Sequence, residues 1–175
     1  APGNCLIDEW VRKKSKKKYD IDGSLADVGN TDTLVLNQAL ENFNIGPPYK
    51  DSLDIKDFDI SFAKGLSLED GTSTLTDFTS SQISKALNYF RDPKISTIFL
   101  VCGGGRKNKY LMNSILRSVD IIENSKKIKF YPIEEYGIDG DFVESQAFGY
   151  LAIRSFLNLP ISFPNTTGCK NPISG

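Results

Sequence analysis

Three consecutive glycines, Gly103-Gly104-Gly105, stand between an apolar run ending in Val101-Cys102 and the polar opening Arg106-Lys107-Asn108. Glycines at such a junction admit positive φ angles and let a ligand approach the backbone. The helix expected next presents free N–H groups and a partial positive charge at its start, which suits a phosphate. The plainer alternative is a tight strand-to-helix turn without a ligand. One glycine would suffice for that, so the triple favours a nucleotide or phosphate contact. A dinucleotide frame, Gly103-x-Gly105-x-x-Asn108, fails at its third position, where helix packing calls for Gly or Ala.

A second cluster runs from Tyr136 to Glu144, with Asp139 and Asp141 among glycines. Asp141 favours a helix start through the dipole. Glu144 falls among Phe142, Val143, Ala147 and Phe148. A carboxylate there either closes a capping box or is aimed into a cleft, and the residues leave both open. Asp70-Gly71-Thr72-Ser73 invites a phosphate-loop reading. No apolar strand precedes it and Ser67 opens a capping signal just upstream, so a structural role is expected.

Composition narrows the chemistry. The 175 residues contain no histidine and three widely spaced cysteines, Cys5, Cys102 and Cys169. Common zinc ligand sets and histidine-assisted nucleophiles are therefore excluded, and acid–base work would fall to carboxylates, lysine or tyrosine. The cysteines read as reduced packing residues of a cytoplasmic protein. A formal net charge of −1 gives no reason to expect nucleic acid or an anionic membrane as partner. The basic run from Arg12 to Lys18 reads as a solvated helix end whose cations complement the dipole. No apolar run approaches the roughly 20 residues of a membrane span. The opening Ala1-Pro2-Gly3-Asn4 lacks a methionine and a signal-peptide pattern, and a fragment of a longer protein is expected.

The elements that must position these residues follow from periodicity. Asn4 caps a helix carrying Leu6, Ile7, Trp10 and Val11 on one face. Residues 19–29 read as a loop with a turn at Asp22-Gly23, and Thr31 caps a helix to about Asn42 with Leu34, Leu36, Ala39 and Leu40 on one side. Gly46-Pro47-Pro48 then begins a long connection. Two capping signals, at Ser67 and at Thr79-Ser80-Ser81-Gln82, predict helix from about 67 to 91 with a break near 78. Ile95 to Cys102 reads as a buried central strand, apolar on both faces. A helix to about Val119, a strand at Ile128-Lys129-Phe130-Tyr131 and a helix from Asp141 to Leu157 follow. In that last helix Phe142, Ala147, Phe148, Leu151 and Ala152 are expected to face a core, and the tail from Pro160 reads as loop. The pattern is α/β, with the helical first ninety residues covering a sheet.

Several stretches, in order, resemble the anhydro-N-acetylmuramic acid kinase family. Pro2-Gly3-Asn4 with Leu6-Ile7-Asp8-Glu9-Trp10 is similar to the family's Asp-Thr-Gly-Pro-Gly-Asn segment and the helix after it. Tyr19-Asp20 with Asp22-Gly23 resembles its next turn, and Pro47-Pro48-Tyr49-Lys50 its Pro-Pro-Lys loop. Val101 to Asn108 resembles its Cys-Gly-Gly-Gly-Ala-x-Asn loop, Gly137 to Ala152 its glutamate-bearing helix, and Thr167-Gly168 its closing Thr-Gly-Ala. Departures are Ala1 for Gly, Arg106 for Ala, Cys169 for Ala, and Asp51-Ser52-Leu53-Asp54 where the family has Ser-Thr-Gly-Arg.

The resemblance implies one lobe, residues 1–175, of the actin-like, ribonuclease H-like ATPase fold, a sheet flanked by helices, with the N-terminal lobe absent. It implies a phosphotransferase acting on an alcohol group. ATP, with Mg²⁺ bridging its phosphates, would phosphorylate 1,6-anhydro-N-acetylmuramic acid while water opens the anhydro ring, in peptidoglycan recycling. Gly103, Gly104, Gly105 and Asn108 would lie at the nucleotide, and Glu144, Gly3 and Asn4 at the sugar. No catalytic or metal-binding residue is carried over, because the general-base aspartate would precede Ala1 by two positions. The isolated chain is accordingly expected to be inactive. The implied partners are ATP, an amino sugar and the N-terminal lobe, with a homodimer left open. The alternative is a stand-alone module that binds nucleotide or sugar without catalysis.

Overall fold

The computed structural model describes residues 3–43, 55–90, 96–123 and 128–175, with helix residues 55, 90 and 120–123 described by backbone alone. The expected Pro-Pro-Tyr-Lys loop at 47–50, the stretch 51–54 and Ile95 lie outside the described residues. The chain divides into two compact units, Ala1–Leu100 with Gly104–Tyr131, and Val101–Gly103 with Pro132–Gly175.

In the first unit, helix α1 (Cys5–Lys14) buries Leu6, Ile7, Trp10 and Val11, the face its periodicity predicts. Arg12, Lys13 and Lys14 fall in its last turn, where cations complement the dipole. Lys13 pairs with Glu9 at 2.6 Å, and Lys14 Nζ donates to the Leu66 carbonyl at 3.0 Å. Asn4 stands at the N-cap position but its side chain makes no cap bond.

The stretch expected to be a loop is more ordered than its composition suggests. Asp22 (φ 54°) and Gly23 (φ 79°) form the expected left-handed turn, but a short helix α2 (Ser24–Val28) follows. Buried Asp20 holds it, accepting the N–H groups of Leu25 at 2.7 Å and Ala26 at 3.1 Å. Helix α3 (Thr33–Asn42) is capped by Asp32, which accepts from Leu34 and Val35, each at 3.0 Å. The expected cap, Thr31, instead donates to Asp77 Oδ2 at 2.6 Å. Of the predicted apolar side, Ala39 is buried and Leu36 and Leu40 pack against the core, while Leu34 is 81% exposed.

Helix α4 (Leu68–Phe90) runs without the predicted break. Ser67 Oγ accepts the Asp70 N–H at 3.0 Å, so the first capping signal is used. The second lies in the helix interior. Its Thr79 and Ser80 are buried together with Thr72, Ser73, Thr74, Thr76 and Ser84. Such a face tolerates burial because hydroxyls return to carbonyls one turn back: Thr72 to Leu68 at 2.6 Å, Thr74 to Asp70 at 2.7 Å and Thr76 to Thr72 at 2.8 Å. Others bond across to helix α5 (Lys109–Glu123), as Ser80 does with Ser114 at 2.8 Å. Asp70-Gly71-Thr72-Ser73 is thus helix, not a phosphate loop. Asp70 accepts the Asn30 N–H at 2.8 Å, a bond that holds its carboxyl below the usual carboxylate range.

Strands β1 (Thr97–Val101) and β2 (Ile128–Pro132) are neighbours in a two-stranded sheet, with Phe99 stacked on Phe130 at 5.5 Å. Ile128 and Phe130 pack against a core of Leu6, Ile7, Trp10, Leu75, Phe78 and Leu111 among others. The fully buried strand expected at 95–102 is half covered. Ile98 and Leu100 alternate with the inward residues and stay exposed.

In the second unit, helix α6 (Val143–Phe156) has the predicted extent, but its expected core face is not buried. Phe142, Ala147, Phe148 and Ala152 are exposed and Leu151 is half-buried. The tail is not simple loop. Strand β3 (Pro160–Ser162) pairs antiparallel with β4 (Ile173–Ser174), and a single helical turn, α7 (Pro164–Thr167), lies between them. All three cysteines are free, and Cys102 is exposed rather than a packing residue.

Candidate functional site

The glycine turn leaves β1 through Gly103, whose φ of +75° is the only positive one in the triple, and enters a 3₁₀ turn at Gly104–Lys107. Among the described residues, a side chain at Gly103 or Gly104 would meet no atom within 4 Å, and at Gly105 only Leu111 Cδ2 at 3.9 Å. Protein packing therefore requires none of the three to lack a side chain, and the turn requires glycine only at Gly103. The open space over the backbone is what a ligand approaching the N–H groups needs.

Within the second unit, the Gly103 N–H donates to the Gly140 carbonyl at 2.9 Å. That bond ties Gly103 to the loop that launches α6. Gly140 N–H in turn donates to Glu134 Oε1 at 3.2 Å, and Asp141 N–H to Asp139 Oδ1 at 2.9 Å. Glu144 follows in the first turn of α6, exposed. It is the second helical residue after an N-cap at Phe142, and a capping box needs the third. The Phe142 N–H that a box would engage is donated to the Asp139 carbonyl at 3.1 Å. The capping reading of Glu144 therefore has no geometric support.

Within the first unit, two residues far apart in sequence meet. Asn108, 2% exposed, accepts the Leu111 N–H on Oδ1 at 3.0 Å and donates from Nδ2 to Asn4 Oδ1 at 3.3 Å. Its own N–H reaches the Gly105 carbonyl at 3.1 Å. Gly23 packs so tightly here that a Cβ would overlap Asn108 Oδ1 and the Tyr110 backbone. Gly3, beside Asn4, has φ +53° with open space around it. The Gly3-Asn4 turn, the Asp22-Gly23 turn and the start of α5 thus converge on one buried amide.

Sequence reasoning missed Asp8. It lies one turn beyond Asn4, its N–H donating to the Asn4 carbonyl at 2.8 Å. One carboxylate oxygen is buried with no hydrogen-bond partner among the described residues. Burial pushes its carboxyl above the usual range, Arg12 pulls it back and Asp20 pushes it further up. Asp8 is half-buried beside the α1 stripe of Leu6, Ile7, Trp10 and Val11, off its centre, so hydrophobic periodicity gave no signal for it.

A family model described as anhydro-N-acetylmuramic acid kinase matches residues 1–174. The chain belongs to that family. Among curated anhydro-N-acetylmuramic acid kinases, that of Pelagibacter ubique (strain HTCC1062) is 51% identical over 100% of this chain and 46% of its own length. The kinases of Zymomonas mobilis and Rhodospirillum rubrum are 38% and 37% identical, again over 100% of this chain and over 46% and 44% of their own. The chain thus spans a little under half the length of the curated kinases it matches. Its helices and small sheet are compatible with an anhydro-N-acetylmuramic acid kinase, and no helix among the described residues is long and apolar enough to cross a membrane.

Proposed function

We propose that residues 1–175 act as the C-terminal lobe of a cytoplasmic, ATP-dependent kinase that phosphorylates 1,6-anhydro-N-acetylmuramic acid and opens its anhydro ring with water, in peptidoglycan recycling. The family match over residues 1–174 carries this reading. ATP supplies the phosphoryl group, water enters the sugar, and ADP and N-acetylmuramic acid 6-phosphate leave. The lobe would have the actin-like, ribonuclease H-like fold, and the complementary lobe would supply the general base.

In this reading Gly103, Gly104 and Gly105 receive the nucleotide phosphates on backbone N–H groups, and the empty space over them supports it. Asn108 closes that loop. Gly3, Asn4 and Glu144 face the sugar, Glu144 accepting from hydroxyls or the N-acetyl N–H. Mg²⁺ would offset phosphate charge. No three acidic, cysteine or histidine groups converge among the described residues, so its ligands would come from the phosphates and from other residues. Exposed apolar side chains on β1 (Ile98, Leu100) and, in the other unit, on α6 (Phe148, Ile153, Phe156) support a further lobe packing on this chain.

The test measures ADP release that depends on the anhydro sugar, from this chain alone and from the complete two-lobed protein. Turnover by the complete protein only is expected. Turnover by the isolated chain would overturn the division of labour, and none by either would overturn the assigned reaction.

A further inference from the structure

The side-chain amides of Asn4 and Asn108 form a one-way chain. The Leu111 N–H is a backbone donor, so the Asn108 atom facing it at 3.0 Å is the oxygen. The other end of that amide is then NH₂, and it points at Asn4, 3.3 Å away. The Asn4 atom that meets it must accept, so Asn4 turns its oxygen inward and its own NH₂ outward. Asn4 sits at the N-cap of α1 yet does not spend its side chain on the cap, which is what an Asn at that position ordinarily does. Asn108 is buried with both amide ends committed inside the fold. At 2% exposed, its side chain offers little surface to a nucleotide.

We infer that Asn108 is a positioning residue whose buried amide fixes the orientation of Asn4, so that Asn4 presents an N–H donor to an oxygen acceptor of the bound substrate. This deepens the proposed kinase reading and rests on it for the identity of the substrate. The acceptor is a hydroxyl, ring, carboxylate or phosphate oxygen, and a ligand N–H is excluded at this point. The arrangement also explains the glycine at position 23. Any side chain there would displace Asn108 Oδ1 and with it the whole relay.

The complete kinase with ATP and 1,6-anhydro-N-acetylmuramic acid tests this through Asn4→Asp, Asn108→Asp and the double variant. Asn4→Asp keeps an acceptor for Asn108 but loses the outward donor. It should retain the melting temperature and lose about tenfold or more in kcat/KM, the scale of one hydrogen bond. Asn108→Asp keeps the Leu111 bond but turns a repelling oxygen on Asn4. It should give a similar loss with the KM for ATP unchanged, and the double variant should lose no more than the worse single one. Additive losses, or a raised KM for ATP from Asn108→Asp alone, would make Asn108 a nucleotide contact. Normal kinetics in Asn4→Asp would remove the outward donor from the account. A readout independent of turnover separates this from the function itself: slow solvent exchange of the Asn108 side-chain NH₂, lost in Asn4→Ala. Fast exchange in the unmodified protein overturns the relay even if the kinase is active, and slow exchange upholds it even if this sugar is not the substrate.

Discussion

The indole of Trp10 lies directly against Gly71, with its Nε1–H donating to the Leu68 carbonyl at 3.0 Å. A Cβ at Gly71 would overlap the ring edge, which the hydrogen bond holds in place. Helix propensity alone would make Gly71→Ala stabilising by about 1 kcal/mol in α4. Overpacking works the other way, by roughly 1–3 kcal/mol. We expect overpacking to win, with a net loss of up to about 2 kcal/mol on the same footing. Chemical denaturation checks it, and an unchanged or raised midpoint would mean the ring yields freely.

The pH dependence of Asp8 has a definite sign. Its carboxyl is raised above the ordinary 3.8 by burial, so the folded state holds the proton more tightly than the unfolded chain. Stability contributed by this group is therefore greatest at low pH and falls as pH rises through the raised value. At neutral pH the ionised group subtracts from stability. Asp8→Asn should raise the melting temperature at pH 7, with the difference shrinking as pH falls towards 3.8. A variant less stable at pH 7 would show that Asp8 has a favourable partner as an anion.

Local patterning made some of the fold legible and hid the rest for identifiable reasons. The buried stripe of α1 and the cap at Ser67 depend on contacts within a turn or two, and both stand as expected. The break predicted near residue 78 does not occur, because Thr79 and Ser80 turn their hydroxyls inward instead of capping. Hydrophobic periodicity cannot see a buried face made of hydroxyls, whether they bond i−4 carbonyls, as at Thr72, Thr74 and Thr76, or reach across to α5, as at Ser80. The second faces of β1 and α6 read as core from their apolar residues, yet among these residues nothing covers them. At the candidate site, the glycine turn and Glu144 were visible from composition and neighbours. The Asn4–Asn108 bond was not, since it joins positions 104 residues apart.

The glycine triple separates a turn requirement from a ligand requirement. Only Gly103 has positive φ, so Gly103→Val should cost about 1–2 kcal/mol in stability through strain at that residue. Gly104 has ordinary φ and open space, so Gly104→Ala should leave stability unchanged or raise it by up to about 1 kcal/mol. In the complete kinase, the same added methyl should weaken ATP binding by crowding the backbone. Calorimetric titration of a folded Gly104→Ala variant with ATP checks this, and an unaltered Kd would reduce the loop to a turn.

Glu144 is exposed in the first turn of α6 and outside any cap. Replacing it with Gln in the complete kinase should leave the melting temperature unchanged. If it accepts hydrogen bonds from the sugar, kcat/KM should fall roughly tenfold to a hundredfold, the scale of bonds to a charged acceptor. A lowered melting temperature with normal kinetics would return Glu144 to a structural role.

The proposed reaction phosphorylates the anhydro sugar and hydrates it in one step. The most direct measurement incubates the complete two-lobed protein with ATP, Mg²⁺ and 1,6-anhydro-N-acetylmuramic acid in ¹⁸O-labelled water and analyses the sugar product by mass spectrometry. The account predicts N-acetylmuramic acid 6-phosphate carrying one labelled oxygen, with one ADP formed per sugar. A phosphorylated product with the anhydro ring intact, an unlabelled product, or no product at all would contradict it.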